Sequence, residues 1–581
     1  MQDFKIILCF IFIISIPSIA ISQTINGIVR DGRSNEVLSG ASVVQKNTQN
    51  GTSTLADGSF SLDLVAEEEP VIIVRFLGYN QKEIAVKNFN RTILIEMEPA
   101  TIRGGEVFVR DVRAADTDPI TQSTISRRKI EQDNIGQDPI FTLEKLTPSI
   151  LTHSDSGTRF ANYSYMRLRG MDQTRINMTL NGVPLNDMID QGVFFSNFND
   201  FGNSIQTVQV QRGVGTSTNG TASYAGSINF ESQNITMDEP AAVVKGTAGS
   251  FNSHRLSAEL NTGSMNRFGF FTRFSKTGSD GYKFNSGTES TSFFVSGGYF
   301  GENDIVKITA FNGRTKNELA YNPVPIDMIR EEPRSNTVSE NDEDDFSQQF
   351  LQLQYNKNVR DGLSFTSSVY YGGAGGDFPV GFDDGTGNFV QQVFSLENDH
   401  YGLKSSIEFN DGKGLEVSGG IHTYRFDRIN EEAFAPEFEE LTYQDDSRKD
   451  EFSSFVKANY RIGNIELYGD LQVRAVKLDL NPDVSFLTDA GVPAVETGVP
   501  SRKWTFVSPK AGVTYHFNKN INVYGSFGRS GREPTRQDIL GATNINAANL
   551  DIVQDVNSVK AEYVNDFETG IRLQTERLAG K

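Results

Sequence analysis

The chain has 581 residues, with 54 basic and 74 acidic side chains, a net charge of -20, and one cysteine, Cys9. That balance argues against nucleic-acid partners, whose phosphates demand a basic face, and one thiol excludes a disulfide framework. The length exceeds what one ordinary core supports, so several domains are expected.

Residues 1–22 read as a signal peptide: Lys5 precedes an apolar run over 6–16, Pro17 breaks it, and the small residues Ala20 and Ser22 place the cut after Ser22. The run falls short of the roughly 20 residues a membrane helix needs. Cys9 would leave with it. No later segment is long and apolar enough to span as a helix, and mean hydropathy is -0.38. Any membrane crossing must then be a closed barrel, which satisfies every backbone group in lipid.

Residues 23–98 carry short strand signals at 25–29, 41–44, 59–65, 71–76, 82–86 and 92–97, separated by turn signals such as Asp57-Gly58. This spacing predicts a small β-sandwich. Residues 99–122, with Pro99, Gly104, Gly105 and many charges, read as an extended linker. Within it Glu106, Val107, Phe108 and Val109 form a β-prone run. It reads equally as an edge strand or as a strand offered to a partner chain.

Residues 123–237 mix a helical stretch around 139–146 with strands at 175–180 and 205–211, joined by Gly- and Asn-rich turns, which predicts a small α+β domain. Gly213 and Gly215 lack the third glycine and the βαβ context of a nucleotide-binding loop, so tight turns are their expected role.

From residue 238 polarity alternates with period two. In 401–409, Tyr401, Leu403, Ile407 and Phe409 face one way, and Gly402, Lys404, Ser406 and Glu408 the other. The stretches 465–475 and 511–517 repeat the pattern. One apolar and one polar face is what lipid outside and a wet lumen inside require. Short gaps at 357–362, 411–414, 461–464 and 517–520 alternate with long ones at 314–346, 372–400, 427–450, 480–502 and 529–560. The long set is expected to face the cell exterior.

Catalytic signals are absent. His153, His254, His400, His422 and His516 show no paired metal spacing, and no nucleophile elbow occurs. The acidic run 342–345 is expected in a long outer loop, solvated rather than calcium-binding. No enzyme activity, cofactor or metal is expected.

Two resemblances extend this reading. The first segment resembles the carboxypeptidase-regulatory-like domain through Gly27-Ile28-Val29, the stretches 38–43 and 52–60, and Phe76-Leu77-Gly78-Tyr79. The middle segment resembles the plug of TonB-dependent outer-membrane receptors through the stretches 166–171, 174–187, 204–215 and 224–230, with 561–573 matching in the barrel. The resemblance makes Glu106, Val107, Phe108 and Val109 the TonB box, although Phe108 departs from the usual Val-rich run. It makes Arg169, Gly170, Asn181, Gly182, Arg212, Gly213 and Gly226 the plug motif residues. Arg169 and Arg212 are then expected to pair with barrel carboxylates or to hydrogen-bond within the plug. Apical plug segments 152–165 and 184–200 are candidate ligand contacts, with Arg159, Tyr163 and Tyr165 foremost; ordinary loop packing is the alternative.

The fold class expected is therefore mainly β: signal peptide 1–22, N-terminal β-sandwich 23–98, linker 99–122, α+β plug 123–237, and a partial antiparallel transmembrane β-barrel 238–581. About fourteen strands are countable and would close to a backbone diameter of about 28 Å, too narrow for a plug near 35 Å across. A C-terminally truncated barrel of about twenty-two strands is expected.

The function this implies is import of a scarce nutrient across the outer membrane of a Gram-negative bacterium, with a ferric siderophore or iron chelate as ligand. The partners would be periplasmic TonB with its inner-membrane motor, and outer-membrane lipid. Uptake of oligosaccharide or peptide is the alternative, and an outer-membrane binding or adhesion protein a second class.

Overall fold

The computed structural model describes residues 23–573, apart from 33–36, 66–69, 87–91, 98–112, 218–224, 234–239, 384–388, 435–440, 494–496 and scattered single or paired positions. The segment 1–22 and the run Glu106, Val107, Phe108, Val109 lie outside the described residues. Two compact units are present, Met1–Ala100 and Thr101–Lys581.

The first unit holds β1 (Gln23–Asp31), β2 (Ser42–Gln45), β3 (Gly51–Ser53), β4 (Ser59–Leu64), β5 (Val71–Arg75), β6 (Lys82–Ala85) and β7 (Ile93–Met97). They form one sheet in the order β4-β1-β7 and another in the order β3-β2-β5-β6. Alternate residues point inward, so Ile25, Val29, Val43, Phe60, Leu62, Ile72, Val74, Ile95 and Met97 share one core. Gly27 is required on β1, because a Cβ there would lie 2.2 Å from the Phe60 ring and 2.9 Å from the Ile93 carbonyl oxygen. The Tyr79 hydroxyl donates to the buried Asp31 carboxylate.

The second unit begins with β8 (Gln122–Ser126), α1 (Arg127–Asp133), α2 (Pro139–Leu146), β9 (Ile150–Ser154), β10 (Ser164–Leu168), β11 (Met171–Asp172), β12 (Ile176–Leu180), β13 (Val183–Pro184), β14 (Ile205–Arg212) and β15 (Gly226–Ser232). Pro139 opens α2 at a position where its missing N–H costs nothing. A five-stranded sheet, β13-β12-β15-β14-β8, and a three-stranded one, β11-β10-β9, pack around Met166, Leu168, Met178, Leu180, Val210, Ile228 and Phe230. This is the plug. Helix α1 was not foreseen from sequence, since its seven residues bury only Ile130 and show no periodic apolar face.

Among the described residues fourteen antiparallel strands form the wall around it: β16 (Ala241–Ala248), β17 (His254–Asn261), β18 (Phe268–Ser279), β19 (Thr288–Phe300), β20 (Asp304–Glu318), β21 (Glu343–Arg360), β22 (Leu363–Asp383), β23 (Phe389–Asn410), β24 (Leu415–Phe434), β25 (Leu441–Ile462), β26 (Ile465–Pro482), β27 (Arg502–Asn518), β28 (Ile521–Arg532) and β29 (Glu562–Leu573). Apolar residues such as Leu351, Leu353, Val456, Leu467, Leu471, Val473 and Val513 are exposed on the outer face, while polar ones such as Gln352, Gln354, Asp470 and Gln472 are buried on the inner. Among the described residues β16 pairs only with β17 and β29 only with β28, so the sheet is open at both edges.

Two expected loops are corrected. Residues 372–400 and 427–450 are largely strand, leaving only 384–388 between β22 and β23 and 435–440 between β24 and β25. The strands from β21 to β26 run to 18–22 residues. A tilted strand crosses a bilayer in about 9–11, so their outer halves stand where both faces are wet and apolar alternation is not needed. The acidic run is corrected too: Asp344 and Asp345 belong to β21. There Asp345 pairs with Arg314 at 2.8 Å, and the Asp344 carboxylate accepts from Asn317 at 2.9 Å.

Candidate functional site

The site is the contact between plug and wall, with the plug surface toward the outer loops. It rests on two tight turns. Leu168 pairs with Met171 and Leu180 with Val183, leaving two-residue connections. Arg169 (φ 52°) and Gly170 (φ 80°), and Asn181 (φ 49°) and Gly182 (φ 83°), are left-handed at both positions. Turns of this kind match the twist of the strands and favour Asn-Gly. They aim the Arg169 and Asn181 side chains outward from the plug.

Each reaches the wall. Arg169 Nη1 lies 2.8 Å from Glu568 Oε1 on β29. Asn181 Nδ2 donates to Ser232 Oγ at 3.0 Å, to Thr309 Oγ1 on β20 at 3.2 Å and to Gln352 Oε1 on β21 at 3.3 Å. Arg212 behaves differently: it stays within the plug, donating to the Pro148 carbonyl at 3.4 Å and the Ser123 hydroxyl at 3.1 Å. Of the two arginines considered together from sequence, one takes each alternative. Gly213 lies against the wall, where a Cβ would fall 1.9 Å from Asp566 Oδ2, the oxygen that accepts the Val214 N–H. Gly226 lies inside the plug, 2.5 Å by the same measure from the Gln211 carbonyl oxygen.

The candidate ligand contacts separate. Tyr163 lies edge-on to Phe194, with ring centroids 6.0 Å apart. It is hydrogen-bonded to Asp344, and burial followed by that carboxylate holds its phenol well above the usual value. Tyr165 stacks on His153 at 5.0 Å and donates to Asp155 at 3.1 Å. Arg159 is two-thirds exposed, 3.4 Å from Glu144 and over the Phe141 ring of α2.

The strongest plug–wall contacts were missed from sequence. Asp200, in a left-handed conformation at φ 52°, is fully buried between Arg255 Nη1 of β17 at 3.1 Å and Arg273 Nη1 of β18 at 3.0 Å. Burial acts to raise its carboxyl, but Arg273 and Arg255, helped by Ser275 and Asn203, outweigh it and hold the pKa below the usual range. Arg428 of β24 pairs with Asp187 and Asp190, and Arg175 pairs with Glu562 at 2.7 Å. Lone charges at lumen-facing strand positions are visible in the sequence; their partners are not.

The outer loops close over the same surface. After β28, α5 (Arg536–Leu540), numbered after α3 (Ile326–Glu331) and α4 (Val484–Asp489), starts with a Thr535/Asp538 capping box. Ile539, Leu540, Ile545, Leu550 and Val553 bury together with Leu487 in the core that includes the plug's Met188 and Ile189. The Arg536 N–H donates to the Ile189 carbonyl at 3.3 Å, and Gln191 Nε2 to the Glu533 carbonyl at 3.1 Å. At the root of this loop, Glu533 meets Lys449 at 2.5 Å and Arg474 at 3.2 Å, and Arg474 also meets Glu451 at 2.8 Å. The structure also brings two scattered histidines together: His400 and His422 contact the Tyr370 hydroxyl through Nε2 at 3.2 and 2.8 Å. Among the described residues no cluster of three His, Cys, Asp or Glu could hold a metal.

One plug carboxyl lies near neutrality. Asp138, before α2, is buried against Ser164 Oγ at 2.6 Å; burial pushes its pKa up to about 7, partly offset by that hydrogen bond. A folded-state pKa above the unfolded value means stability present at low pH is lost as pH rises from about 4 to about 7. Asp138→Asn is expected to flatten that slope, raising plug stability at pH 8 by on the order of 2 kcal/mol and leaving pH 4 unchanged, as read by denaturant unfolding at both pH values.

The comparisons with known proteins agree with this geometry. Family models match in chain order: a CarboxypepD_reg-like domain at residues 25–109, a TonB-dependent receptor plug domain at 115–227, and a TonB-dependent receptor-like β-barrel at 296–581. TonB-dependent receptor SusC of Bacteroides thetaiotaomicron is 40% identical over 85 residues, 14% of this chain and 8% of that protein's length. Among solved structures, the unliganded ferric citrate transporter FecA superposes with a TM-score of 0.65 at 14% identity, over 79% of this chain and 68% of that one. The copper transporter OprC gives 0.64 at 16% identity, over 80% and 70%. The ferric yersiniabactin uptake receptor FyuA of Yersinia pestis gives 0.59 at 12%, over 80% and 72%. With an N-terminal regulatory-like domain, a plug and an outer-membrane β-barrel wall in that order, the chain belongs to the TonB-dependent receptor family, whose members are receptors and not enzymes.

Proposed function

We propose that the protein imports a scarce nutrient, a ferric siderophore or similar iron chelate, across the outer membrane of a Gram-negative bacterium. Import is driven by periplasmic TonB, which pairs with Glu106, Val107, Phe108 and Val109 and is powered by its inner-membrane motor. The observation that carries this reading is a plug held by the buried Asp200 ion pairs against the lumen face of a wall with an apolar outer face. An adhesion anchor has no need of an occluded lumen. The fold shared with the ferric citrate transporter and the ferric yersiniabactin uptake receptor lends the iron assignment its support. The outer loops and plug segments 152–165 and 184–200 would bind ligand, with Arg159, Tyr163 and Tyr165 as contacts. A second reading, import of an oligosaccharide or peptide, draws on the amide- and hydroxyl-rich lumen face of β21 and β22.

Deleting the gene and measuring ferric-chelate uptake in iron-limited cells tests the iron assignment, with loss of uptake expected; unchanged uptake removes it. For the coupling role, Val107→Pro takes a donor out of the pairing strand. Ligand binding at the cell surface is expected to persist while uptake stops, and retained uptake would sink that role.

A further inference from the structure

The lipid-facing side of the wall changes character along one row of residues. On β26 the outward positions Ile465, Leu467, Leu471, Val473 and Ala475 are apolar, and the next two, Lys477 and Asp479, are charged. At ~3.3 Å per residue and ~40° of strand tilt, the stretch 465–475 rises about 25 Å along the membrane normal, the height of an outer-membrane apolar band. Lys477 therefore stands at the level of the lipid headgroups. The neighbouring strands change in the same register: Phe452 gives way to Asp450 on β25, Thr423 to Arg425 on β24, and Thr505 to Lys503 on β27. Tyr401 of β23 lies opposite Arg425 in that row and its hydroxyl donates to Asp427 at 3.1 Å, the placement of an interfacial aromatic.

Most charges at this level are matched. Arg425 meets Asp450 at 2.7 Å, Arg448 meets Asp427 at 2.5 Å, and Lys477 meets Asp479 at 2.5 Å. Lys503 differs: it is exposed, and among the described residues no carboxylate lies within ion-pair distance of it. It stands directly opposite Lys477 on the same face of the sheet. Like charges opposed across two strands, with Cβ atoms about 5 Å apart, are destabilising. Open solvent screens such repulsion, whereas at the edge of hydrocarbon the screening is weaker and a fixed anion relieves more of it. Directly beneath the two lysines the face is apolar, with Val473 opposite Val507 and Leu471 opposite Pro509. We propose that Lys477 and Lys503 together hold the phosphate of an outer-leaflet lipid headgroup, whose acyl chains lie along the apolar strip of β26 and β27 below. Lysines beside a membrane gain affinity for anionic headgroups in this way. The site depends on the wall facing lipid and stands apart from the import reading.

Native mass spectrometry of the full-length receptor in a nonionic detergent tests the site, with phosphatidic acid and the matching diacylglycerol as probes that differ only in the phosphate. The receptor is expected to hold phosphatidic acid at least about tenfold more tightly than diacylglycerol. Lys477→Gln and Lys503→Gln are each expected to weaken phosphatidic acid about fivefold and to leave diacylglycerol unchanged. The double variant Lys477→Arg with Lys503→Arg keeps both charges and is expected to keep the binding. Arg330→Gln, which alters an exposed cation of the outer-loop helix α3, is expected to bind as the unaltered protein does. Equal retention of the two lipids by the unaltered protein overturns the proposal, and so does unweakened phosphatidic acid binding in Lys477→Gln and Lys503→Gln. Displacement of the lipid by an equimolar amount of inorganic phosphate would make the pair a site for a free anion and overturns the lipid assignment as well.

Discussion

Asp200→Ala is expected to cost the plug about 3–5 kcal/mol, the largest effect of any single plug substitution. The carboxylate is fully buried, and removing it leaves Arg273, with no side-chain exposure, and Arg255, with 5%, facing each other without the carboxylate that bridges them. Ser275 Oγ and Asn203 Nδ2 lose their acceptors as well, at 2.7 and 2.8 Å. Position 200 is also left-handed, a conformation that Asp tolerates better than Ala. Hydrogen exchange of the β14 and β15 amides in the detergent-solubilised receptor reads the loss. The double variant with Arg273→Met is expected to recover part of it, because one stranded charge is gone. Additive losses would show that the pair is not the source.

Glu533→Ala is expected to have a comparable cost, about 3–5 kcal/mol, and to free the outer loop that follows it. Glu533 is the shared partner of Lys449 and Arg474; without it Arg474 keeps Glu451, while Lys449 keeps the Met188 carbonyl at 2.5 Å. The plug turn at 187–191 is held by the same loop through the Arg536 N–H and the Glu533 carbonyl, and by Arg532 at the end of β28, which donates to Gln191 Oε1 at 2.9 Å. Faster cleavage of residues 533–561 by an added protease on intact cells is the expected result, with Glu533→Gln intermediate because its amide oxygen still accepts. Unchanged cleavage in Glu533→Ala would mean that the apolar residues Ile539, Leu540, Leu550 and Val553 alone hold the loop down.

What could be read from the residues was what depends on near neighbours. The Gly- and Asn-rich turn signal at Asn181-Gly182 depends only on adjacent residues, and the structure has a turn there, tightened to two residues because successive left-handed positions favour Asn and Gly. The alternation over 401–409 and 465–475 announces wall strands because lipid on one face demands apolar side chains there. The same rule explains where reading failed: the glycine-rich stretch 372–376 shows no apolar alternation, yet it lies within β22, paired with β21 and β23. Beyond the bilayer nothing requires a greasy face, so length of strand leaves no mark on composition.

By itself, then, the amino-acid order determined the succession of regulatory-like domain, plug and wall, the tight turns, and which side of each strand faces lipid, since all of these follow from contacts within a few residues or from the solvent each face meets. Tertiary structure alone decided who pairs with whom. Arg169 and Arg212 both precede a glycine, yet one finds Glu568 on the wall and the other a carbonyl and a hydroxyl of its own domain. A buried charge must be compensated wherever the chain happens to bring a counter-charge. For the largely buried Glu568 carboxylate that partner, Arg169, lies 399 residues away, a separation no local pattern encodes.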